Sequence, residues 1–427
     1  MTATLLFAVF LLLMLAGIPV VAALAASSAV ALFLLAGVPA VSLTHSAVFG
    51  VDKFVLLSIP LFIRTGELMN ASGISKRLCD LASALVGHLR GGLAQVNVVA
   101  NLFLGGISGS SSADAALTTK VLVPVMIARG YSAGFSGAIT ATSAMLGPII
   151  PPSIAMILYG SIANVSIGNL FIAGIIPGLL ITVALGVTVW IISAKRGYRG
   201  EHSRAPAAEV IRRLTDAIWA LLLPVLVLGG IGFGLVTPTE AGAAAAVYSA
   251  IVGSIIYRTI RIADYPHILL NAAADTGVIM LIVAVAATFT FLITLLGIPQ
   301  QIAQQIAAYG SNAALFIALV NLAMLVAGML MEATALLLLT APILVPIAIR
   351  LGIDPVHFGL VLIVNLMIGT LSPPFGQSAF IVSAIGRIPV ERIFGDILRL
   401  LPALILVLLV ISYVPESFLW LVRLLGS

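Results

Sequence analysis

The stretch Gly105–Lys120, GGISGSSSADAALTTK, decides how this sequence is read. Apolar runs flank it on both sides, yet it holds three glycines, four serines and an aspartate. A lipid-facing helix gains nothing from glycine or serine and is penalised by aspartate. In hydrocarbon, the backbone of such a turn needs partners from protein or from a water-filled cavity. The stretch therefore marks either close helix packing or a place where something polar is bound.

The rest of the chain sets the class. Of 427 residues, 61% are hydrophobic and 8% charged, against about 25% charged in an ordinary soluble domain. Membrane-length segments are predicted at about 3–35, 54–71, 78–105, 133–163, 168–194, 217–235, 240–257, 273–297, 312–331, 356–386 and 397–424. The expectation is an all-α polytopic membrane protein with no large soluble domain. The first run begins at Leu5 without a preceding basic residue and passes residue 35, too long for a cleaved signal peptide. A formal charge of +5 then reflects basic loops and anionic lipid of the bilayer, with no nucleic acid as partner. Cys79 alone excludes an intrachain disulfide, and the histidines form no metal-binding spacing.

The one long polar connection, Lys195–Asp216, carries Lys195, Arg196, Arg199, Arg204, Arg212 and Arg213. Basic residues beside spans mark the cytoplasmic side, and Arg258 and Arg261, two spans later, fall on the same side. The connection (195–216) separates a first half, 1–194, from a second, 217–427. These halves repeat. At an offset of 222 residues, Gly106 to Pro152 matches Gly328 to Pro374 with 14 identities in 47 positions, where chance gives about 4.

Each half has two interruptions in corresponding places. One is a tip, GGISGSSSAD or AGMLMEATA (327–335). The other is a Gly/Pro break, MLGPIIPPS (145–153) or MIGTLSPPFGQS (367–378). Adjacent prolines remove backbone donors and end a helix. Broken segments at matched places in two halves point to a transporter's central binding site. The tips read as re-entrant helical hairpins over about 98–129 and 322–350, each followed by a broken helix, 133–163 and 356–386. Carbonyls and hydroxyls at tip and break suit sodium, and helix N-termini suit an anionic group. For a single tip, close packing by small residues is a serious alternative. Two matched tips, each followed by a break, favour a site.

Together, IPLF (59–62), GGISGSSSAD, GYSAGFSGA (130–138), GPIIPPSIAMILYG, NLFIAGIIPGLL (169–180) and VTPTEAGAAAAVYS (236–249) resemble the large membrane subunit of TRAP transporters. The resemblance spans nearly the whole chain. It implies uptake of a small organic acid or zwitterion across a bacterial inner membrane, coupled to sodium as the bound ion. It also implies two inverted repeats and an elevator, in which a scaffold holds a mobile transport domain containing both hairpins and both broken helices. The implied partners are a small four-helix membrane subunit, here a separate chain, and a periplasmic substrate-binding protein.

Carried onto this sequence, the first sodium site is expected at Ser108, Ser110 and Ser112 with Gly147, Ile150 and Pro151. The second is expected at Gly328, Glu332 and Thr334 with Gly369, Thr370 and Ser372. Substrate contacts are expected from Ser111, Asp114, Pro152, Ser153, Pro374 and Arg64. Asp114 reads equally as an ion ligand or as a helix cap. Arg64 departs from the family, which usually has an apolar residue there, and pairing with Glu67 one turn on or snorkelling is its plainer role. Rival readings are a self-sufficient sodium/carboxylate symporter, a channel, and an intramembrane serine protease using Gly106-Ile-Ser-Gly109 with His357 as base. The second tip lacks that serine motif while keeping its surroundings, which favours transport.

Overall fold

A computed structural model describes residues 2–35, 38–200, 204–301, 304, 312–374 and 376–425. Among these the regular structure is helical without strands, and eight helical stretches are long and apolar enough to cross a membrane. The polytopic helical class is the one expected from composition. A helix satisfies its own backbone, which is why an apolar chain of this kind adopts it.

The apolar runs divide more finely than expected. The first splits at Gly17–Pro19 into α1 (Thr2–Leu15) and α2 (Val20–Leu34), with Gly17 at φ 78°. A short helix, α3 (Val41–Val51), was not anticipated, since Ser42, Thr44, His45 and Ser46 dilute its apolar signal. After α4 (Ser58–Ala71), the run expected over 78–105 is two helices, α5 (Ile74–Val86) and α6 (Gly92–Ser108), divided at Gly87–Gly91. The first half continues with α7 (Ser111–Ala128), α8 (Ala133–Ser143), α9 (Ile154–Ala163) and α10 (Ile167–Arg196).

The second half holds α11 (Ala207–Gly232), α12 (Pro238–Ile251), α13 (Tyr265–Leu295), α14 (Ala313–Gly328) and α15 (Ala333–Arg350). It ends with α16 (Pro355–Gly369), α17 (Gln377–Gly386), α18 (Val390–Tyr413) and α19 (Glu416–Leu425). The stretches read as hairpins hold pairs of consecutive, packed helices, α6–α7 and α14–α15, whose first helices start at Gly92 and Ala313. Both expected breaks lie where the prolines put them, between α8 and α9 and between α16 and α17. Pro151–Pro152 and Pro373–Pro374 are each in cis.

The helices pack in two groups. In the outer one, α13 lies on α2, α3 and α4, and α12 covers α4. In the central one, α7 packs on α8 and α17, α15 on α9 and α16, and α18 on α8 and α10. One end of the fold gathers the basic connection. Arg196, closing α10, pairs with Asp396 of α18 and donates to Ser132. The Tyr257 hydroxyl donates to the Asp216 carbonyl at 2.8 Å, which brings the segment holding Arg258 and Arg261 to the same end, as expected. At the opposite end, Lys53 Nζ donates to the Ser161 carbonyl at 2.7 Å, joining the outer group to α9.

Candidate functional site

Both tips meet at one cavity. It measures about 600 Å³ and is lined from the first tip by Ser108 to Ala113 and from the second by Glu332, Thr334 and Ala335. Pro148 and Met367 reach it from the two interrupted helices, and Gln377 from the start of α17. The outer group supplies the facing wall, with Gly66, Glu67 and Asn70 of α4 and Asp275, Val278 and Ile279 of α13.

Local chemistry explains the tips. Gly109 closes α6 at φ 61°, a left-handed turn that favours glycine, and a methyl there would lie 2.8 Å from the Pro152 carbonyl oxygen. Ser110 is the N-cap of α7, its side chain accepting from Ala113 N–H at 3.4 Å. The Ser110 and Ser112 hydroxyls lie 3.1 Å apart, and Ser108 Oγ accepts from Ser110 N–H at 3.2 Å. In the second half a carboxylate takes the capping role: Glu332 accepts from Ala335 N–H at 2.9 Å and from the Thr334 hydroxyl at 2.8 Å. Ser153 caps α9, accepting from Met156 N–H at 3.2 Å while donating to the Pro148 carbonyl at 2.5 Å. Helices α7, α9 and α15 therefore begin at the site, with the positive ends of their dipoles near it. Each hydroxyl that donates its proton locally keeps oxygen lone pairs for a cation.

Tip and break touch through backbone. A methyl on Gly147 would sit 2.8 Å from Asp114 Oδ2 and 3.1 Å from the Ser110 carbonyl oxygen. Asp114 is 2% exposed, and its Oδ2 has no hydrogen-bond partner. It belongs to the junction between first tip and first break, behind the cavity wall. Gly328 and Gly369 make the matching crossing in the second half.

The expected site residues sort accordingly. Ser108, Ser110, Ser111, Ser112, Glu332 and Thr334 face the cavity. Behind it lie Gly147, Pro151, Pro152, Ser153, Gly328, Gly369, Thr370 and Ser372, all buried. Ile150 points toward Gly178 of α10, where a methyl would meet its Cδ1. Thr370 and Ser372 donate to the Met367 and Ile368 carbonyls at 2.9 and 3.2 Å. Pro374 is exposed.

Arg64 neither lines the tip cavity nor pairs with Glu67. It lines a separate cavity between α4 and α12 with Tyr265 and Ser254. The two side chains leave α4 on different faces, and Glu67 is the one that faces the tips. Reading by composition passed over Glu67, Asn70, Asp275 and Gln377. For Glu67 and Asp275 the signal was available, since an ionisable residue inside an apolar span is a functional candidate by default.

A second missed feature braces each hairpin against its broken helix. In the first half, Asn97 Nδ2 donates to Thr140 at 2.7 Å and Ser143 donates to Asn97 Oδ1 at 3.1 Å. In the second, Asn365 Nδ2 donates to Asn321 Oδ1 at 2.8 Å. Ser143 and Asn365 are 222 positions apart, the same offset as the sequence repeat. His357 spends its ring on the Ile411 carbonyl at 3.0 Å and on Phe418, so no base is delivered to Ser108.

Among known proteins, the family described as "Tripartite ATP-independent periplasmic transporter, DctM component" matches residues 7–417. The chain belongs to this family. This TRAP large subunit is 40% identical over 367 residues to the sialic acid TRAP transporter large permease protein SiaM of Vibrio cholerae, covering 86% of each chain. It is 39% identical over 375 residues to the C4-dicarboxylate TRAP transporter large permease protein DctM of Pseudomonas aeruginosa, covering 88% of each. Its fold is similar to the YdaH transporter of Alcanivorax borkumensis, with a TM-score of 0.60 at 16% identity over 89% of this chain and 87% of that one. It also resembles Neisseria gonorrhoeae MtrF, with a TM-score of 0.58 at 17% identity over 86% and 82% of the two chains. Membership makes the protein the multi-pass large permease subunit of a solute-uptake system that works with a small membrane subunit and a binding protein.

Proposed function

We propose that this subunit carries out sodium-coupled uptake of a small organic acid or zwitterion, handed over by a periplasmic binding protein at a bacterial inner membrane. The two tips enter the membrane as re-entrant hairpins. The central group, with both hairpins and both broken helices, moves against the outer group as an elevator.

One observation carries the sodium reading: the buried Asp114 carboxylate, with Oδ2 unpartnered beside Gly147 and the Ser110 carbonyl. An acid left without a counter-charge in a membrane protein is costly. A sodium ion held by this carboxylate, the tip hydroxyls and the break carbonyls removes that cost and ties tip to break. Glu332, Thr334 and the Gly328–Gly369 crossing form the second such junction. With both sites filled, the central group has fewer uncompensated charges and crosses more readily.

The cavity is the solute's place. Its wall carries three carboxylates, Glu67, Asp275 and Glu332, and no basic side chain among the described residues. A zwitterion meets less repulsion there than an acid, and co-bound sodium offsets the repulsion for either. The relatives named for sialic acid and C4-dicarboxylates support the acid class. Glu67 and Asn70 lie in the last turns of α4, toward the basic end of the fold.

The test compares thermal stability of the complex with its small subunit in sodium, potassium and choline at equal ionic strength. Stabilisation by a ligand of the folded state is about 2.7 kcal/mol at a hundredfold excess over Kd. A sodium-specific rise that Asp114→Asn removes supports the reading, and equal stability in the three cations overturns it. Uptake that proceeds without an added binding protein would instead favour the self-sufficient symporter.

A further inference from the structure

A second cavity is larger than the one between the tips. It lies at the end opposite the basic connection, measures about 860 Å³, and separates the outer group from α9 and α15. One wall is Phe49, Leu56 and Phe291, the other Ile162, Val345 and Ile349. Its charged residues are Lys53 and Arg350, both exposed, and no carboxylate lines it among the described residues. Charge is thus divided between the two cavities, with carboxylates at the tips and cations here.

Shape and chemistry narrow the occupant. The lining follows α15 from Leu338 to Arg350, a rise of about 18 Å at ~1.5 Å per residue. That is close to half of a hydrocarbon core about 30 Å thick. Arg350 closes α15 and Lys53 lines the same cavity, and the apolar wall runs from Arg350 back along α15. Lys53 donates one proton to the Ser161 carbonyl and keeps two others. A small polar solute would leave such a wall uncovered.

We propose that this cavity binds an anionic phospholipid, its phosphate between Lys53 and Arg350 and an acyl chain along α15. The lipid braces the outer group against α9 and α15, in parallel with the Lys53–Ser161 bond. Bilayer anionic content then affects how readily the two groups shift.

Native mass spectrometry of the delipidated complex, titrated with phosphatidylglycerol or phosphatidylcholine of the same acyl chains, tests this. Retention of phosphatidylglycerol is expected to exceed that of phosphatidylcholine about tenfold, or ~1.4 kcal/mol. Lys53→Gln and Arg350→Gln should each reduce the preference several-fold. Arg258→Gln, at the opposite end, should not. Thr290→Trp fills the cavity while keeping both cations, and should lose the lipid in protein that still melts cooperatively. Equal retention of the two lipids overturns the proposal. So does a preference that survives either the double variant Lys53→Gln/Arg350→Gln or Thr290→Trp.

Discussion

Gly328 of α14 and Gly369 of α16 cross backbone to backbone: a methyl on either would lie 3.0 or 2.9 Å from the other's Cα. In the first half, a methyl on Gly105 would lie 3.0 Å from the Gly147 Cα. These crossings seat each hairpin tip on the broken helix that follows it. They are what turns two separate interruptions of the sequence into two compact junctions.

Gly328→Ala and Gly369→Ala should each cost about 1–3 kcal/mol, because neither backbone can yield without moving a tip. Gly277→Ala in α13, with nothing within 4 Å of the added methyl, should be neutral or stabilise by up to ~1 kcal/mol. Thermal unfolding of the three variants checks the contrast. Equal effects would mean the crossings are looser than described.

Side chains that ligate an ion should separate from those that only pack. Asp114→Asn should abolish sodium-specific stabilisation, and Ser110→Ala and Thr370→Ala should weaken it. All three should keep their melting temperature in potassium within a few degrees. Sodium titrations followed by thermal shift read this directly. Unchanged apparent sodium affinity in all three would remove these side chains from the ion sites.

Charge on the outer wall of the tip cavity should tune solute affinity. Glu67→Gln and Asp275→Asn should lower KM for an acidic solute and raise it for one with a cationic nitrogen. The change should be at most about tenfold, or ~1.4 kcal/mol. Initial uptake rates in proteoliposomes, with sodium stabilisation measured alongside, check the sign. A loss of sodium stabilisation would move these carboxylates into the ion sites.

The asparagine braces should be worth what polar contacts between membrane helices usually are. Asn365→Ala loses its bond to Asn321, about 0.6–1.7 kcal/mol. Asn97→Ala should cost more, since Thr140, Asn101 and Ser143 all bond to Asn97. Unfolding of the two variants in one detergent ranks them.

At the basic end, Asp396 is 7% exposed and holds both Arg196 and Arg399. Asp396→Asn should destabilise by up to about 3 kcal/mol, because Arg196 then lacks its buried counter-charge. Arg399→Ala, on the exposed side, should change stability by about 0–1 kcal/mol. Melting at two salt concentrations would show the exposed partner more sensitive to screening.

The sequence by itself determined the helical membrane class and the places where paired prolines interrupt helices. Hydrophobic run length, proline and glycine act locally, so their consequences are written where they occur. Pro151-Pro152 and Pro373-Pro374 could be read as breaks before any neighbour was known. The basic connection marked one end of the fold for the same reason. Helix boundaries inside long apolar runs were less legible, because Gly17 and Gly91 divide helices through a left-handed turn that composition alone does not distinguish from tolerated glycine.

Tertiary structure decided which side chains meet. Arg64 and Glu67 share one helix turn in sequence, yet only Glu67 faces the tips, because α12 covers the other face of α4. Asp275 reaches the same cavity from α13, about two hundred residues away in the chain. Asp114 turned out to lie behind the wall, at the junction with Gly147. Burial and partnership are relations between distant segments. No spacing within one segment encodes them.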